Sequence, residues 1–514
     1  MSGSGDLAGP DFSAGVSLDG IPMNGTLGGR VGDVAVLLSR FDDGLYAVGG
    51  SCTHYGAALS SGLLDRSTVR CPLHHACFDL RTGEALRAPA LDALETWRVD
   101  VEQGTVFVRE KLDRKTVEPR AGNDIGKIVI VGGGAAGLAC AHELRRLGYA
   151  GSLTMLSADA DPPVDRPNLS KDYLAGTARE EWMPLRSGDW YRDHEIDLRL
   201  KCEVVRIDPN SHRAFSRSGD EFEFDRLLIA TGSEPNCLSG NGLYDDAVFT
   251  LRSFADARAI AARATAGMTA AVIGSSFIGL EAAAALRERD VAVHVIAPEH
   301  VPFEHLLGPQ IGRFLQALHE RNGVRFHLGT TVESFSKGAI SLADGVEVKA
   351  DIVLVGIGVT PRTSAAASAG IATSAGVEVD ACLQTSVPGI YAAGDIAAYP
   401  DPLTGEPVRV EHWVVAERQG QTAAANMLGV RKPYRAVPFF WTEQYGVALR
   451  YVGRAAQWDD IVIDGTVDEG DFIARYYRSG THCASASVGR DLELLEDERW
   501  LEGEVAQAQA ILTL

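Results

Sequence analysis

Residues 127–137 read Lys127-Ile-Val-Ile-Val131-Gly132-Gly-Gly134-Ala135-Ala136-Gly137, and a helix-forming stretch, residues 138–147, follows. An apolar strand, a glycine-rich turn and an apolar helix in this order are typical of a dinucleotide-binding α/β unit. The glycines allow a tight turn, close approach of the backbone to a pyrophosphate and close packing of helix on strand, while the helix N-terminus favours the phosphates. We therefore predict that residues 132–137 bind a dinucleotide, and that Asp159, after the next apolar strand, accepts the ribose hydroxyls.

The same pattern occurs a second time at residues 269–297. The apolar run Thr269-Ala-Ala-Val-Ile273 leads into Gly274-Ser-Ser276-Phe-Ile278-Gly279 and a helix. Ser276 replaces the middle glycine, and serine is small enough to preserve the turn. The acid that usually ends the next strand is missing, but Glu299 lies two residues later and we expect it to substitute. Because no Arg or Lys lies nearby to hold a 2′-phosphate, we expect NADH rather than NADPH.

Two cysteine–histidine pairs stand near the N-terminus, Cys52-Thr-His54 and Cys71-Pro-Leu-His74. Two thiolates and two imidazoles can hold a tetrahedral zinc or a Rieske [2Fe–2S] cluster. Structural zinc fingers more often place their histidines on a helix, three to five residues apart. The sequences around both pairs resemble the two cluster-binding loops of Rieske proteins, which implies Cys52, His54, Cys71 and His74 as ligands. We expect His75 to pack or form hydrogen bonds rather than to ligate, and Cys77 to be a small buried side chain.

Composition and charge limit the classes of partner. The chain has 514 residues and a formal net charge of −21, which argues against binding to a phosphate backbone, and thus no nucleic acid is expected. We find no run of eighteen apolar residues, so no membrane span is expected. The N-terminus lacks a signal peptide pattern and the eight cysteines show no disulfide framework, so we expect a cytoplasmic protein. The oligomeric state is left open.

The pattern of apolar residues changes along the chain. Short alternating strands separated by Gly- and Asp-rich turns predict an all-β domain at residues 11–110. A charged stretch at residues 111–123 without apolar periodicity predicts a linker. After it, buried strands alternate with helices, which is typical of an α/β structure.

Further segments carry a resemblance to a known family. These are Asp165-Arg166-Pro-Asn-Leu-Ser170-Lys171, Ala230-Thr231-Gly232, Gly356-Ile-Gly358-Val-Thr-Pro361, Gly394-Asp395, Glu411-His412-Trp413 and Pro438-Phe-Phe-Trp441. Together with residues 132–137 they resemble motifs of the pyridine-nucleotide-dependent ferredoxin reductases, over roughly residues 124–514. With the cluster loops in front, the chain resembles the Rieske-bearing, apoptosis-inducing-factor-like flavoproteins.

The resemblance implies a multidomain architecture. An FAD-binding domain would comprise residues 124–240 and 365–430, a Rossmann-like NADH-binding domain residues 241–364, and a C-terminal α+β interface domain residues 433–514. It implies that FAD is bound by the positions matching the family motifs: Gly132, Gly134, Ala135, Ala136, Gly137, Asp159, Arg166, Lys171, Ala230, Thr231, Gly232, Asp395, His412, Trp413 and Trp441. On the nicotinamide side the matching positions are Gly274, Ser276, Ile278, Gly279, Glu299 and Gly358.

The family places a Lys–Glu pair near flavin N5, and the matching positions are Lys171 and Glu281. A solvated lysine and an ordinary surface acid are the alternative interpretation. Glu281 is followed by Ala282-Ala-Ala-Ala-Leu286. An acid on the protein surface is rarely followed by so many apolar residues, so this segment favours the catalytic pair.

These features favour an electron-transfer flavoenzyme. We expect NADH to reduce FAD, FAD to reduce the chain's own [2Fe–2S] cluster, and the cluster to reduce an external acceptor such as an oxygenase, a P450 or a small quinone. One alternative is a flavin disulfide reductase, which needs a cysteine facing the flavin, and residues 165–174 contain none. Another is a redox-responsive interaction protein like apoptosis-inducing factor. A Rieske oxygenase would need a separate mononuclear iron domain, and the dinucleotide units occupy that part of the chain.

Overall fold

The computed structural model of the protein describes residues 9–113, 125–238, 246–336 and 338–512. Residues 9–113 form two antiparallel sheets with strand orders β1-β10-β9-β4-β3-β2 and β5-β6-β7-β8. The β9–β10 hairpin turns at Gln103-Gly104, whose φ values of 50° and 81° fit a type I′ turn. The strands are β1 (Val16–Ser17), β2 (Gly25–Val31), β3 (Val34–Phe41), β4 (Gly44–Gly49), β5 (Leu63–Asp65), β6 (Thr68–Arg70), β7 (Cys77–Asp79), β8 (Ala85–Arg87), β9 (Thr96–Glu102) and β10 (Thr105–Lys111).

The predicted linker at residues 111–123 falls almost wholly outside the described residues, because residues 114–124 are not among them. Lys111 is still part of strand β10, where it pairs with Trp97. The bounds of the linker therefore stay a prediction.

Residues 125–238 begin the first α/β unit. Its central strand β11 pairs in parallel with β12 on one side and β17 on the other. The elements are β11 (Lys127–Val131), α1 (Ala135–Arg146), β12 (Ser152–Leu156), α2 (Arg166–Leu169), α3 (Asp172–Ala175), α4 (Gly188–Asp193), β13 (Ile196–Arg199), β14 (Val204–Asp208), β15 (Arg213–Ser216), β16 (Glu221–Glu223), β17 (Arg226–Ile229) and β18 (Ser233–Pro235).

The second α/β unit follows, with a parallel sheet in the order β19-β26-β20-β21-β22. Strand β27 pairs with β18 and leads the chain back toward the first unit. The elements are β19 (Val248–Thr250), α5 (Phe254–Arg263), β20 (Thr269–Ile273), α6 (Phe277–Glu288), β21 (Ala292–Ala297), α7 (Glu304–Leu307), α8 (Pro309–Arg321), β22 (Val324–Leu328), β23 (Val332–Ser336), β24 (Ala339–Leu342), β25 (Glu347–Lys349), β26 (Ile352–Val355) and β27 (Val359–Pro361).

The chain then returns to the first sheet. Strand β29 pairs in parallel with β17, so the first sheet has the order β13-β12-β11-β17-β29 and contains segments from both sides of the second unit. Helix α10 packs on α1, and both contribute to one apolar core with the first sheet. The elements are α9 (Ser364–Ser368), β28 (Val377–Glu378), β29 (Ile390–Ala392), β30 (Ala397–Pro400), β31 (Pro407–Val408) and α10 (Trp413–Met427).

The C-terminal part is a five-stranded antiparallel sheet in the order β32-β33-β36-β35-β34. Leu494, Leu501 and Val505 of the last helix are buried against this sheet and against Val414 of α10. The elements are β32 (Phe439–Gln444), β33 (Val447–Gly453), β34 (Asp460–Thr466), β35 (Asp471–Arg478), β36 (Thr481–Val488) and α11 (Asp491–Leu512). The predicted fold class, an all-β region before two α/β units and an α+β region, is thus confirmed.

Across the described residues, no helix combines the length and the apolar character needed to cross a bilayer.

Candidate functional site

The two Cys–His loops, residues 52–57 and 71–76, have the same backbone structure. In each loop the cysteine N–H donates to the carbonyl five residues later, and the N–H four residues later donates back to the cysteine carbonyl, at 2.8–3.1 Å. The residue at that fourth position has a left-handed backbone in both loops, Gly56 with φ 76° and His75 with φ 60°. The repeat presents one Cys and one His from each loop to the same space.

The four side chains are arranged as two like pairs. The thiols of Cys52 and Cys71 are both buried and lie close enough for each to shift the pKa of the other. The Nδ1 atoms of His54 and His74 lie 3.1 Å apart. No group of three or more His, Cys, Asp or Glu side chains within the described part of the chain is arranged to hold a single metal ion. Two separate pairs fit the two irons of a Rieske cluster, one with two Cys and one with two His, better than one tetrahedral zinc.

Both imidazoles are in the form that metals require. Burial lowers the pKa of His54 to about 3 and holds the pKa of His74 well below its ordinary value. Neutral imidazole nitrogen is a metal ligand, whereas protonated imidazole is not. The donor set therefore fits a [2Fe–2S] cluster in chemistry and in pairing.

The first glycine loop has the geometry that a dinucleotide needs. A Cβ on Gly132 (φ 124°) would lie 2.1 Å from the Ala230 carbonyl oxygen, and one on Gly137 would lie 2.0 Å from the Gly132 carbonyl oxygen. These two glycines therefore serve the turn and the packing of α1 on the strand. A Cβ on Gly134 would approach only the guanidinium of Arg166, at 3.6 Å, so the space above the loop is open.

This open space is part of a cleft that is lined by two arginine side chains. Arg166 and Arg252 both line it, and the pKa of Arg166 is lowered by burial and by the charge of Arg252. Arg166 donates to Asp159 at 3.2 Å and Arg252 to Asp395 at 2.6 Å. Two close guanidiniums and a helix N-terminus suit an anionic pyrophosphate, so the residues present fit FAD.

Most of the predicted flavin-binding residues meet in this cleft. Those that line it are Gly134, Ala135, Ala136, Arg166, Lys171, Ala230, Gly232, Glu281, Asp395, His412, Trp413 and Trp441, and Ile278, which was predicted on the nicotinamide side, lines it as well. Asp159 lies beside it, in a small hollow shared with Gly133 and Arg166. Thr231 does not line the cleft but donates to the Arg362 carbonyl at 3.0 Å. No cysteine is among the residues that line the cleft in the described part of the chain.

A second cleft adjoins the first and shares Ile278 and His412 with it. It is lined also by Ser276 and Gly358. Ser276 caps α6, since its hydroxyl accepts from the Gly279 N–H at 3.3 Å, and it also donates to the Gly356 carbonyl at 3.0 Å. The serine that replaces the middle glycine thus stabilises the phosphate loop.

Three other predicted residues of the second unit are not among those that line this cleft. Gly274 (φ 103°) and Gly279 have too little room for a Cβ and therefore serve packing, as their counterparts in the first unit do. Glu299 follows β21 and accepts a hydrogen bond from the Ser275 hydroxyl at 3.4 Å, directly beside the glycine loop.

The structure brings Lys171 and Glu281 together from two different α/β units. The Lys171 Nζ lies 2.8 Å from the Glu281 Oε2. Glu281 is 5% exposed, as the apolar residues after it predict. Both side chains line the flavin cleft.

Trp441 connects the flavin cleft with the cluster loops. It lines the cleft, and its ring centroid lies 4.2 Å from that of His74 and 6.3 Å from that of His54. One aromatic side chain therefore contacts both the cleft and the histidines of the two loops.

Three polar groups at these sites are not predicted from the sequence: Arg252, Asp165 and Glu417. For Arg252 the sequence offers only one weak indication, namely its position directly before Ser253, the N-cap of α5. Asp165 accepts a hydrogen bond from Tyr55, which stacks on His54 at a centroid distance of 4.0 Å. Burial raises the pKa of Asp165 and holds that of Glu417, a buried acid near it, well above its ordinary value. Nothing in the local sequence distinguishes Glu417 from a surface acid.

Comparison with known families bears directly on these sites. Residues 126–420 match the pyridine nucleotide-disulphide oxidoreductase family, residues 17–98 the Rieske [2Fe-2S] domain, and residues 439–513 the reductase C-terminal domain. The chain belongs to the pyridine nucleotide-disulphide oxidoreductase family. It is an NAD(P)H-dependent FAD oxidoreductase with an N-terminal Rieske domain, and FAD, NAD and a [2Fe–2S] cluster are its cofactors, as the motifs predict.

Individual relatives agree with this assignment. The chain is 35% identical over 476 residues to apoptosis-inducing factor 3 of Homo sapiens, covering 89% of this chain and 78% of the human protein. It is 36% identical over 386 residues to the ferredoxin–NAD(+) reductase component of the p-cumate 2,3-dioxygenase system of Pseudomonas putida, covering 74% and 94%. The reductase in the covalent putidaredoxin reductase–putidaredoxin complex superposes with a TM-score of 0.72 at 30% identity, covering 74% of this chain and 94% of that one. The predicted family, a Rieske-bearing, apoptosis-inducing-factor-like flavoprotein, is confirmed.

Proposed function

We propose that this flavoprotein passes electrons from NADH through FAD to its own Rieske cluster and then to an external acceptor. The observation that carries the proposal is the position of Trp441, which contacts the ring of His74 on one side and lines the flavin cleft on the other. When bound, FAD takes a hydride from NADH and returns single electrons to a one-electron centre, which is the chemistry that joins these two sites.

The chain's residues would hold the three cofactors as follows. Gly134, the N-terminus of α1, Arg166 and Arg252 would bind the pyrophosphate of FAD, and Asp159 its ribose. Ser276 of the second glycine loop would bind NADH together with Gly358 and with Glu299, the latter on the ribose hydroxyls. Cys52 and Cys71 would bind one iron, and His54 and His74 the other.

Lys171 and Glu281 would act as a catalytic pair at the flavin. The carboxylate accepts from Lys171, Ser170 and Thr442 at 2.5–2.8 Å. The bonds from Ser170 and Thr442 fix the carboxylate, which in turn holds the ammonium together with the Pro167 carbonyl at 3.0 Å. A fixed cation beside the cleft stabilises negative charge that develops on a bound aromatic ring system, and it needs no reorganisation during the reaction.

We also propose the domain division that the resemblance implies. Residues 11–110 would be the Rieske domain, residues 124–240 with 365–430 the FAD domain, residues 241–364 the NADH domain and residues 433–514 the C-terminal domain. The return of strand β29 to the sheet of β11 and β17 supports an NADH domain inserted into the FAD domain.

The external acceptor is proposed to be a protein such as an oxygenase or a P450. The relative from Pseudomonas putida is a component of a dioxygenase system, and another solved relative, 32% identical, is a ferredoxin reductase for the CYP199A2 system of Rhodopseudomonas palustris. With its own cluster attached, this chain would reduce such a partner directly.

Replacement of Cys71 by Ser tests the proposed route. The variant should lose the cluster's visible and electron paramagnetic resonance signals while NADH still bleaches the flavin at the wild-type rate. Ser60→Ala, an exposed position near the first loop, is the control and should change neither signal. If Cys71→Ser also abolished flavin reduction, or if NADH failed to reduce the wild-type cluster, the route from flavin to cluster would be wrong.

A further inference from the structure

The two cluster loops differ at the position with left-handed backbone. The first loop has Gly56 there, whereas the second has His75 at φ 60°. A side chain in this conformation crowds the neighbouring carbonyl, so glycine is favoured. A histidine persists at such a position when its side chain makes interactions that a glycine cannot make.

His75 makes these interactions outside the Rieske domain. It is fully buried, and its Nδ1 lies 2.9 Å from the Oε2 of Glu498 in helix α11. Its ring stacks on Phe439 of strand β32 at a centroid distance of 4.1 Å. Its carbonyl accepts a hydrogen bond from Arg418 of helix α10 at 3.1 Å. One residue of the cluster loop is therefore held by three elements of the reductase.

Glu498 is the centre of a buried ionic cluster at this interface. Besides His75, it is 3.2 Å from Arg418 and 3.4 Å from Arg70 of the Rieske domain, and it has no exposed surface. The three arginines of the cluster, Arg70, Arg87 and Arg418, face three carboxylates, Asp65, Glu498 and Glu502.

Arg418 completes the attachment through the backbone. It donates to the carbonyls of His75 and Ala88, both in the Rieske domain, and to that of Val437, at 3.1–3.2 Å. Undocking of the Rieske domain would separate Glu498 from His75 and Arg70, and Arg418 from two carbonyls. Undocking would break all of these charge-assisted hydrogen bonds together, so this arrangement opposes undocking.

Other contacts hold the domain elsewhere on the same interface. Asp92 forms a two-bond ion pair with Arg186 at 2.8 and 2.9 Å, and Arg450 donates to the Leu73 carbonyl at 2.8 Å. Leu73 directly precedes the ligand His74, so both backbone neighbours of His74 are held by the reductase.

We propose that His75 is a positioning residue that, with Glu498 and Arg418, clamps the second cluster loop and keeps His74 against Trp441 throughout turnover. The Rieske domain then does not swing away to deliver electrons, and an acceptor must approach the first loop, where Thr53 is exposed and Tyr55 is 37% exposed. This inference rests on the proposed function for the direction of electron flow.

Hydrogen exchange of the oxidised holoprotein tests the clamp without turnover. His75→Gly suits the backbone conformation but removes the imidazole, so we expect full FAD and cluster content. Amide exchange at residues 70–78 and 437–442 should rise at least tenfold. Glu498→Gln should also raise the amide exchange of these residues. Glu496→Gln, at an exposed position of the same helix outside the ionic cluster, is the matched control and should change exchange less than twofold.

Stopped-flow mixing with NADH supplies the second measurement. In His75→Gly the flavin should be reduced at the wild-type rate, while cluster reduction should slow at least fivefold and become dependent on solvent viscosity, since the domain must find its docked position. Wild-type cluster reduction should not depend on viscosity.

Two results would overturn the proposal: wild-type exchange in both His75→Gly and Glu498→Gln, or viscosity-dependent cluster reduction in the wild type. If His75→Gly loses its cluster, the amide exchange of Glu498→Gln decides whether the clamp exists, because Glu498 lies outside both cluster loops. If NADH leaves the wild-type cluster oxidised, the proposed function fails, yet the exchange experiment still decides whether the clamp exists.

Discussion

The ammonium of Lys171 lies 2.8 Å from the carboxylate of Glu281, although the two residues belong to different α/β units. The carboxylate also accepts from Thr442 of the C-terminal sheet at 2.7 Å. Three parts of the chain therefore meet at one buried acid in the wall of the flavin cleft. Their relative positions determine the geometry at which hydride transfer would take place.

Loss of either member of this pair should slow hydride transfer. We expect Lys171→Ala and Glu281→Gln to retain FAD but to reduce flavin more slowly on mixing with NADH, by about 10- to 100-fold, since misplaced reacting groups cost rates of this order. Lys349→Ala, at a lysine whose side chain is 70% exposed, is the control. Wild-type rates in both variants would return the pair to a structural role.

Substitution of two glycines in the first loop should affect different properties, the stability of the fold in one case and FAD binding in the other. In Gly137→Ala the new methyl would lie 2.0 Å from the Gly132 oxygen, so we expect a loss of stability of about 1–3 kcal/mol, measured by thermal unfolding. In Gly134→Ala the methyl would enter open space above the loop, so the fold should persist and the FAD dissociation constant should rise about tenfold, about 1.4 kcal/mol. Equal losses of stability in the two variants would contradict this assignment.

The enzyme should prefer NADH to NADPH. Glu299 accepts a hydrogen bond from Ser275 beside the second glycine loop, where a carboxylate suits ribose hydroxyls and repels a 2′-phosphate. The measurement is kcat/KM for both nucleotides. Glu299→Arg should reduce the ratio of kcat/KM for NADH to kcat/KM for NADPH. Glu299→Gln, which removes only the charge, should reduce this ratio less. Equal values for NADH and NADPH in the wild type would show that Glu299 does not contact the ribose.

The cluster should have a low potential for a Rieske centre. Hydrogen bonds to the sulfurs raise the potential, but the side chains of Ala76 and Phe78, both buried in the apolar core that contains Cys52 and Cys71, cannot donate any. We expect a midpoint of roughly −150 to −50 mV in a redox titration of the holoprotein. A midpoint above about +100 mV would contradict the argument.

The double variant Ala76→Ser/Phe78→Tyr tests the cause of that low potential. Added hydroxyls should raise the midpoint if they donate to the cluster sulfurs. Ala85→Ser, at another buried alanine of the same core, is the control and should leave the midpoint unchanged. An unchanged midpoint in the double variant would mean that hydrogen bonding is not what keeps the potential low.

The sequence was sufficient for the features that depend on local spacing. Cys52-x-His54, Cys71-x-x-His74 and both glycine loops are short motifs, and their chemistry follows from residues a few positions apart. The all-β and α/β regions follow equally from local periodicity, because strands and helices bury one face at a period of two or 3.6 residues. The Lys171–Glu281 pair was predicted from a family resemblance and from the apolar residues after Glu281, since 110 residues separate the two along the chain.

Contacts between distant segments were decided only by the tertiary structure. The sequence predicts that His75 packs or forms hydrogen bonds, but it does not reveal the partner: the bond to Glu498 joins residues 423 positions apart. The pairs Tyr55–Asp165 and Arg252–Asp395 likewise join segments more than a hundred residues apart. A charged side chain has no periodicity that reveals its partner, because the partner is set by how whole domains pack. The sequence by itself therefore determined which cofactors this protein binds, and the packing of its domains determined how closely they are held to one another.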